Sequence, residues 1–436
     1  MIFERLFRIL TFVFFLVGCA PRSLATAEMT YSGPMLLNVA VEPVELPGLE
    51  ALVDLFNQEH PRNPVSIVNF ASQADLSAAL EKTKTQNSAD SPLISPQIFL
   101  LDYRIVPTFA AQQEIYPLDG FLEASPLIKL ADFYPVAMDA YRWNGMQYCL
   151  PQSSSSIVVY YNRTMFEKTG LPEPKEGWGL DEFLAAAKKL TRDQNGDGIN
   201  DQFGLGLQPG LASLTPFIWM NGVDIVNDRT APIKLSFDLP EAKEALRWFI
   251  NLQLESKVTP GQEQEELVNS ASRFILGNVA MYIGGRSATP TFRTISSFSW
   301  DVAPLPVGIQ SASLLESSGY CIASRSETIK PAWAFVEFAA GPIGQSLAAS
   351  SGSFVPALRK IAESAVFLQG EKLPGNSQVW LDAQTYLKHF PAVPHWMEIE
   401  SIYNNNIANA FYGKIVLEEA VQSAATSSAV LFVTNK

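Results

Sequence analysis

Between residues 35 and 102 three short apolar runs alternate with two helical patterns. That alternation limits the chain to folds in which strands lie side by side beneath covering helices. Residues 35–41, 65–70 and 97–101 are each apolar and of strand length. Between the first two, GLEALVDLFNQEHP sets Leu49, Leu52, Val53 and Phe56 on one helical face, and Pro61 stops the helix. Residues 75–82 read as a second helix. Strands separated by helices are not joined as hairpins, so an α/β lobe with a largely parallel sheet is expected. In such sheets ligands lie beyond the carboxyl ends of the strands, where Asp102 closes the third run. Glu42 and Gln73 follow the first and second strands in the same way, and each also suits a solvated turn.

The remaining length asks for more than this one lobe. With 436 residues, 47% of them hydrophobic, two or three domains can each bury a core. The stretch 148–162, YCLPQSSSSIVVYYN, runs from a short apolar piece through Gln152 and four serines into a β-branched and aromatic run. It reads as a crossing between two lobes. Beyond it, helical spacing recurs at Phe183, Leu184, Ala187 and Leu190, and again at Ala242, Ala245, Leu246, Phe249 and Leu252. Helices are also expected over 331–340 and 395–411, the latter closed by Gly413. WDVAPLPVG, at 300–308, has two prolines that limit it to an edge or connecting role.

Composition and motifs exclude several functions. A formal charge of -13 without a cluster of Lys and Arg argues against nucleic acid. The three histidines, His60, His389 and His395, form no zinc pattern, and neither a G-x-S-x-G elbow nor a P-loop is present. An enzyme is therefore not expected. At the N-terminus, Arg5 and Arg8 precede an apolar run over 9–17 that is too short to span a bilayer. The run ends in Leu16-Val17-Gly18-Cys19, which resembles a bacterial lipobox, so 1–18 read as a lipoprotein signal peptide with Cys19 as the acylated residue. The plainer alternative is an ordinary signal peptide with an incidental cysteine. Residues 19–34 then form the anchor and a flexible tether.

The loop bearing Asp193, Asn195, Asp197 and Asp201 resembles a calcium-binding loop, with oxygen ligands at alternate positions and Gly198 at the turn. It departs from the EF-hand in having Gly204 at the twelfth position. A structural Ca2+ remote from any ligand is one reading, and an Asx-rich turn is the other.

The phrases VVYYNRTMFEKTGLPEP, DEFLAAAKKLT, FILGNVAMYIGG, WDVAPLPVG, PAWAFVEFAAGPIGQSLAASSGSFVPA and FPAVPHWMEIESIYNNNIANAFYGK occur in the order found in family 1 extracellular solute-binding proteins, the sugar receptors of ABC importers. The resemblance covers most of 36–436. It implies a type II periplasmic-binding-protein fold of two α/β lobes joined by a hinge, each discontinuous in sequence. The lobes would comprise 36–149 with 320–350, and 152–318 with 354–436.

The resemblance also implies a monomeric, lipid-anchored receptor outside the cytoplasmic membrane, partnered by permease subunits and needing no cofactor. The ligand would be a small sugar or α-glucoside of the maltose, trehalose, sucrose or glucosylglycerol type. A charged ligand such as glycerol phosphate or a polyamine is the alternative within the same fold, and a lipid-anchored glycan-processing enzyme a more distant one. Because the chain is exported and Cys149 and Cys321 fall in the first and return crossings, a bridge between them is expected, with two buried thiols as the alternative.

Sugar binding asks for aromatic platforms and planar polar groups. By position in the family, Asp102, Gln152, Ser153 and the cleft loop Gly284-Gly285-Arg286 are ligand contacts, with Arg286 standing where relatives often carry tryptophan. Tyr320, after Gly319, is the expected aromatic platform, and Trp219 is either a second platform or core. Trp300, Trp333 and Trp396 read as core, and His389-Phe390-Pro391 stands where relatives often show Arg-Pro.

Overall fold

The computed structural model describes residues 34–78, 97–324 and 328–433. The expected signal peptide, Cys19 and nearly all of the tether lie outside the described residues, as does the end of the helix expected over 75–82, of which 73–78 are helical.

The first sheet has the order Val65–Asn69, Met35–Val39, Ile98–Asp102, Ser318–Ile322, Cys149–Pro151. Its first three strands are parallel, as helical connections require. The other two come from distant sequence and pair antiparallel. Helix Leu46–Glu59 buries Leu49, Leu52, Val53 and Phe56, the face expected from its spacing. Phe56 meets Phe335 of helix Ile329–Ala340 edge-on, with ring centroids 5.0 Å apart.

The second sheet is ordered Trp300–Ala303, Val158–Asn162, Val279–Gly284, Phe203–Gly206. Trp300–Ala303 is its edge strand and ends at Pro304, whose missing N–H a central strand could not accommodate. Around this sheet, helices Pro240–Leu254 and Trp396–Phe411 meet through Phe249 and Phe411, with centroids 5.4 Å apart. The result is the expected two-lobe α/β fold.

A third, small sheet joins the lobes: Leu387–Lys388, Ser313–Glu316, Ser155–Ser156. The chain from 149 to 162 thus enters all three sheets in turn, and the chain from 300 to 322 returns through them in reverse. Cys149 and Cys321 are register partners at the lobe end of these crossings. Their Cα atoms lie 4.4 Å apart and their sulfurs are bonded, linking residues 172 apart in sequence.

One lobe boundary differs from expectation. Residues 356–362, expected in the second lobe, lie against the first: Leu358 bridges to Phe133, and Tyr134 N–H donates to the Ala357 carbonyl at 3.0 Å. The chain then meets the second lobe from Phe367, whose ring lies 4.7 Å from the Arg286 guanidinium, to Trp380, which packs 6.2 Å from Tyr160.

Candidate ligand-binding cleft

Small hydroxyl residues make the hinge because three chain crossings must fit side by side. Ser317 Oγ donates to the Ser153 carbonyl at 2.5 Å, and Ser318 N–H donates to Ser153 Oγ at 3.0 Å. Ser155 Oγ accepts Val355 N–H at 2.9 Å, which ties in the third crossing, while Ser154 Oγ donates to Gln384 Oε1 at 2.7 Å. The serines of 153–155 therefore satisfy backbone and side-chain groups that would otherwise be buried without partners.

In front of this hinge lies a cavity of about 260 Å³. Its first-lobe wall is Ala40, Val41 and Glu45 together with Asp102, Tyr103 and Arg104, beyond the carboxyl ends of two parallel strands. The hinge supplies Gln152, Ser153, Glu316, Ser317, Ser318, Ser353 and Phe354, and the second lobe supplies Ala212 and Ser287.

Arg104 spans the two lobes. Its Nε and Nη2 donate to the two Asp102 oxygens at 2.9 and 2.7 Å, and its Nη1 donates to both Glu400 oxygens at 2.9 and 3.1 Å. Burial alone would lower the Arg104 guanidinium, but Asp102 and Glu400 carry it well above its ordinary value. Burial raises the Glu400 carboxyl, and Arg104 offsets part of that rise.

Two further carboxyls face the cavity. Burial raises Glu45, whose oxygens accept from Ser353 Oγ at 2.9 Å and from Glu42 N–H at 3.1 Å. Glu316 is partly buried, and burial pushes its carboxyl up to about 7, with Arg104 lowering and Asp102 raising it. Gly285 makes room for it, since a Cβ there would sit 1.7 Å from Glu316 Oε2.

The expected site residues divide. Asp102, Gln152 and Ser153 do line the cavity. The Gln152 amide, however, donates to Tyr320 Oη at 2.8 Å. Tyr320 is a correction: its ring is wholly buried against Phe335, because residues alternate faces along Ser318–Ile322 and Tyr320 takes the core side. Trp219 is likewise core, fully buried with Nε1 donating to Asp224 at 3.2 Å.

Arg286 also turns away from the cavity. Its guanidinium lies 4.7 Å from the Phe367 ring and 4.3 Å from the Trp380 ring, and Nε donates to the Gly352 carbonyl at 2.9 Å. Burial lowers it to about 10. Gly319 is small because the Tyr141 ring lies across it, 2.7 Å from where a Cβ would stand. Gln73 binds the edge of the strand, donating to the Leu100 carbonyl at 3.4 Å, and Glu42 is an exposed turn residue outside the lining.

In the Asn- and Asp-rich loop, the carboxylates accept nearby donors. Asp193 takes Gly196 and Gly198 N–H at 2.6 and 2.8 Å, Asp197 takes Ile199 N–H at 2.8 Å and Asp201 takes Gln194 N–H at 3.0 Å. Among the described residues no group of three or more His, Cys, Asp or Glu converges to hold a metal.

Arg104, Glu316 and Glu400 were not foreseen. Glu400 carried a signal, an acid on the helical face of Trp396, Ile399, Tyr403 and Ile407 that is otherwise apolar and buried.

A second groove of about 760 Å³ lies on the flank of the hinge, between Asp139, Arg142 and Arg359 on one side and Asp224, Arg229, Lys388 and His389 on the other. It touches no carboxyl end of the parallel strands. His389 holds it together, hydrogen-bonded to Asp139 at 3.0 Å and accepting Arg229 Nη2 on its carbonyl at 2.9 Å.

A family model described as bacterial extracellular solute-binding protein matches residues 51–375. The chain belongs to that family. It is a solute-binding protein of extracytoplasmic type and not an enzyme. Among the described residues no helix is long and apolar enough to cross a membrane. Similar to it is a binding protein of Brucella abortus, 24% identical over 416 residues, which are 93% of this chain and 95% of the relative. The sn-glycerol-3-phosphate-binding periplasmic protein of Escherichia coli is 25% identical over 272 residues, 59% of this chain and 57% of that protein.

The fold is shared with the ABC substrate-binding protein Lmo0181 of Listeria monocytogenes, solved in complex with cycloalternan. The TM-score is 0.81 at 22% identity, covering 92% of this chain and 99% of that one. It is shared too with a maltose-bound MalE3 of T. maritima, TM-score 0.75 at 20% identity, over 91% and 99% of the two chains.

Proposed function

We propose that this solute-binding protein captures a small hydroxyl-rich solute, a sugar or glycoside, in the cavity in front of the hinge and delivers it to an ABC permease. The observation that carries this reading is the lining. Gln152, Ser153, Ser287, Ser317, Ser318 and Ser353 supply hydroxyl and amide groups of both hydrogen-bonding senses, while Asp102 and Arg104 bring charged partners to the same space. Hydroxyl groups match such a wall without leaving polar atoms unpaired, each of which would cost about 1–3 kcal/mol. The carbohydrate complexes among proteins of the same fold support it. The volume of about 260 Å³ lies just under the ~300–1,000 Å³ of drug-sized ligand sites, so the solute is of monosaccharide to small disaccharide size.

In this reading the ligand bridges both walls and favours the state in which Arg104 reaches Glu400, because it can shift that equilibrium only through contacts made in the closed form. The protein works as a monomer, held by lipid on Cys19 at an outer membrane face. Calorimetric titration with a panel of mono- and disaccharides, paired with small-angle scattering, tests the assignment. One ligand per chain with a smaller radius of gyration on binding is expected. A panel without any binding sugar would retire it.

A further inference from the structure

The walls of this cavity are unequal in charge. Arg104 is the one cation among the lining residues, and Asp102 and Glu400 already hold its Nε, Nη1 and Nη2. Facing it are Glu45, which accepts from Ser353 and the Glu42 amide, and Glu316, whose carboxylate makes no hydrogen bond or ion pair among the described residues. No cation is left over for an anionic solute, while one carboxylate is left over for a cationic one.

The surroundings of Glu316 point the same way. The ionisable groups acting on it are Arg104 and Asp102 from the first lobe, with Tyr160 and Tyr282 from the second sheet. Gly285 holds open the space its carboxylate occupies. A partly buried carboxylate without a partner is unfavourable, and a charge-assisted hydrogen bond relieves it more than a neutral one.

Resting on the cleft as the solute site, we infer that the solute carries a protonated amine as well as hydroxyls, and that Glu316, seated in the space left by Gly285, receives that ammonium. Selectivity against anions follows from the same wall, since a phosphate would confront Glu316 and Glu45 with Arg104 already engaged.

Titration calorimetry at pH 6.5 with glucosamine, glucose, N-acetylglucosamine, putrescine and glycerol phosphate tests this. Glucose matches the amino sugar in size without its charge, and N-acetylglucosamine removes the charge by capping the amine with a larger neutral acetyl group. At least tenfold tighter binding of glucosamine than of glucose and N-acetylglucosamine is expected. Glu316→Gln should reduce that ratio to near one, and Gly285→Ala, which displaces the carboxylate but keeps its charge, should reduce it in part. Amine binding should release protons in the wild type, read from two buffers of different ionisation enthalpy, and not in Glu316→Gln.

Equal binding of charged and neutral sugars would overturn the ammonium assignment and leave the sugar reading standing. A preference for glucosamine that survives Glu316→Gln would remove Glu316 from recognition. Binding of glycerol phosphate alone, or of no probe, would overturn both readings.

Discussion

Arg104 and Arg286 both follow the carboxyl end of a strand at the cleft, and they finish in opposite environments. Arg104 stays partly exposed between two carboxylates that belong to different lobes. Arg286, one residue beyond a glycine on the cleft's rim, is fully buried between two aromatic rings with no carboxylate bonded to it. Position at a strand end brings a side chain to the rim. Which way it then turns depends on partners from remote sequence, Glu400 at a separation of 296 residues in one case and Ser377 at 91 in the other.

The contrast can be broken most sharply at Arg286. Replacing it with Ala leaves a void between Phe367 and Trp380, so a loss of about 3 kcal/mol is expected in urea unfolding. Ligand affinity per folded molecule should stay within about twofold. Lost binding with unchanged stability would return Arg286 to the cleft.

Arg104→Ala should act in the other sense. It leaves Asp102 at the cavity and the buried Glu400 without their cation, at about 1–2 kcal/mol because Arg104 and Asp102 are partly exposed to solvent. The ligand-free lobes should open, seen as a larger radius of gyration in solution scattering. An unchanged radius would show that the Arg104–Glu400 pair does not hold the lobes together.

Between pH 4.5 and 7.5 the cleft's carboxyls give a pH dependence that Arg286, lowered only to about 10, does not. Burial raises Glu316 from 4.5 to about 7, so between these values the folded protein keeps a proton that the unfolded chain has released. The stabilisation is complete below pH 4.5 and is lost as pH rises through 7. Glu45 and Glu400, also raised by burial, act with the same sign. Denaturant titrations from pH 4.5 to 7.5 should show a decline to which Glu316 contributes up to about 2 kcal/mol, allowing for its partial exposure. Glu316→Gln should flatten that decline. An unchanged slope in the variant would mean that Glu316 is already ionised in the free protein.

The smallest effect is expected at Glu42, the exposed turn residue outside the lining. Glu42→Ala should alter stability by no more than about 0.5 kcal/mol and leave ligand affinity unchanged. A tenfold loss of affinity in titration would place it in the site after all.

The fold was legible where the signal was periodic. The helix Leu46–Glu59 buries the four residues its spacing selected, and the prolines after Trp300–Ala303 marked an edge strand correctly. Asp102, Gln152 and Ser153 were readable because strand ends and crossings lie near the cleft whatever their side chains do. Tyr320 was not. An aromatic ring at a crossing can face cavity or core, and only the register of Ser318–Ile322 against its neighbours decides which. Glu316 was hidden for a similar reason. Nothing local in SLLESS reveals that Gly285, from another lobe, leaves a space for its carboxylate.

Hydrogen exchange with and without saturating glucosamine, and again with glucose, tests most directly that the solute sits in front of the hinge. Ligand-dependent protection is expected to be strongest at 102–104, 314–318 and 353–354, where the cavity walls carry backbone N–H groups. Protection confined to 130–142, 224–229 and 387–389 would contradict it and move the solute to the flank groove.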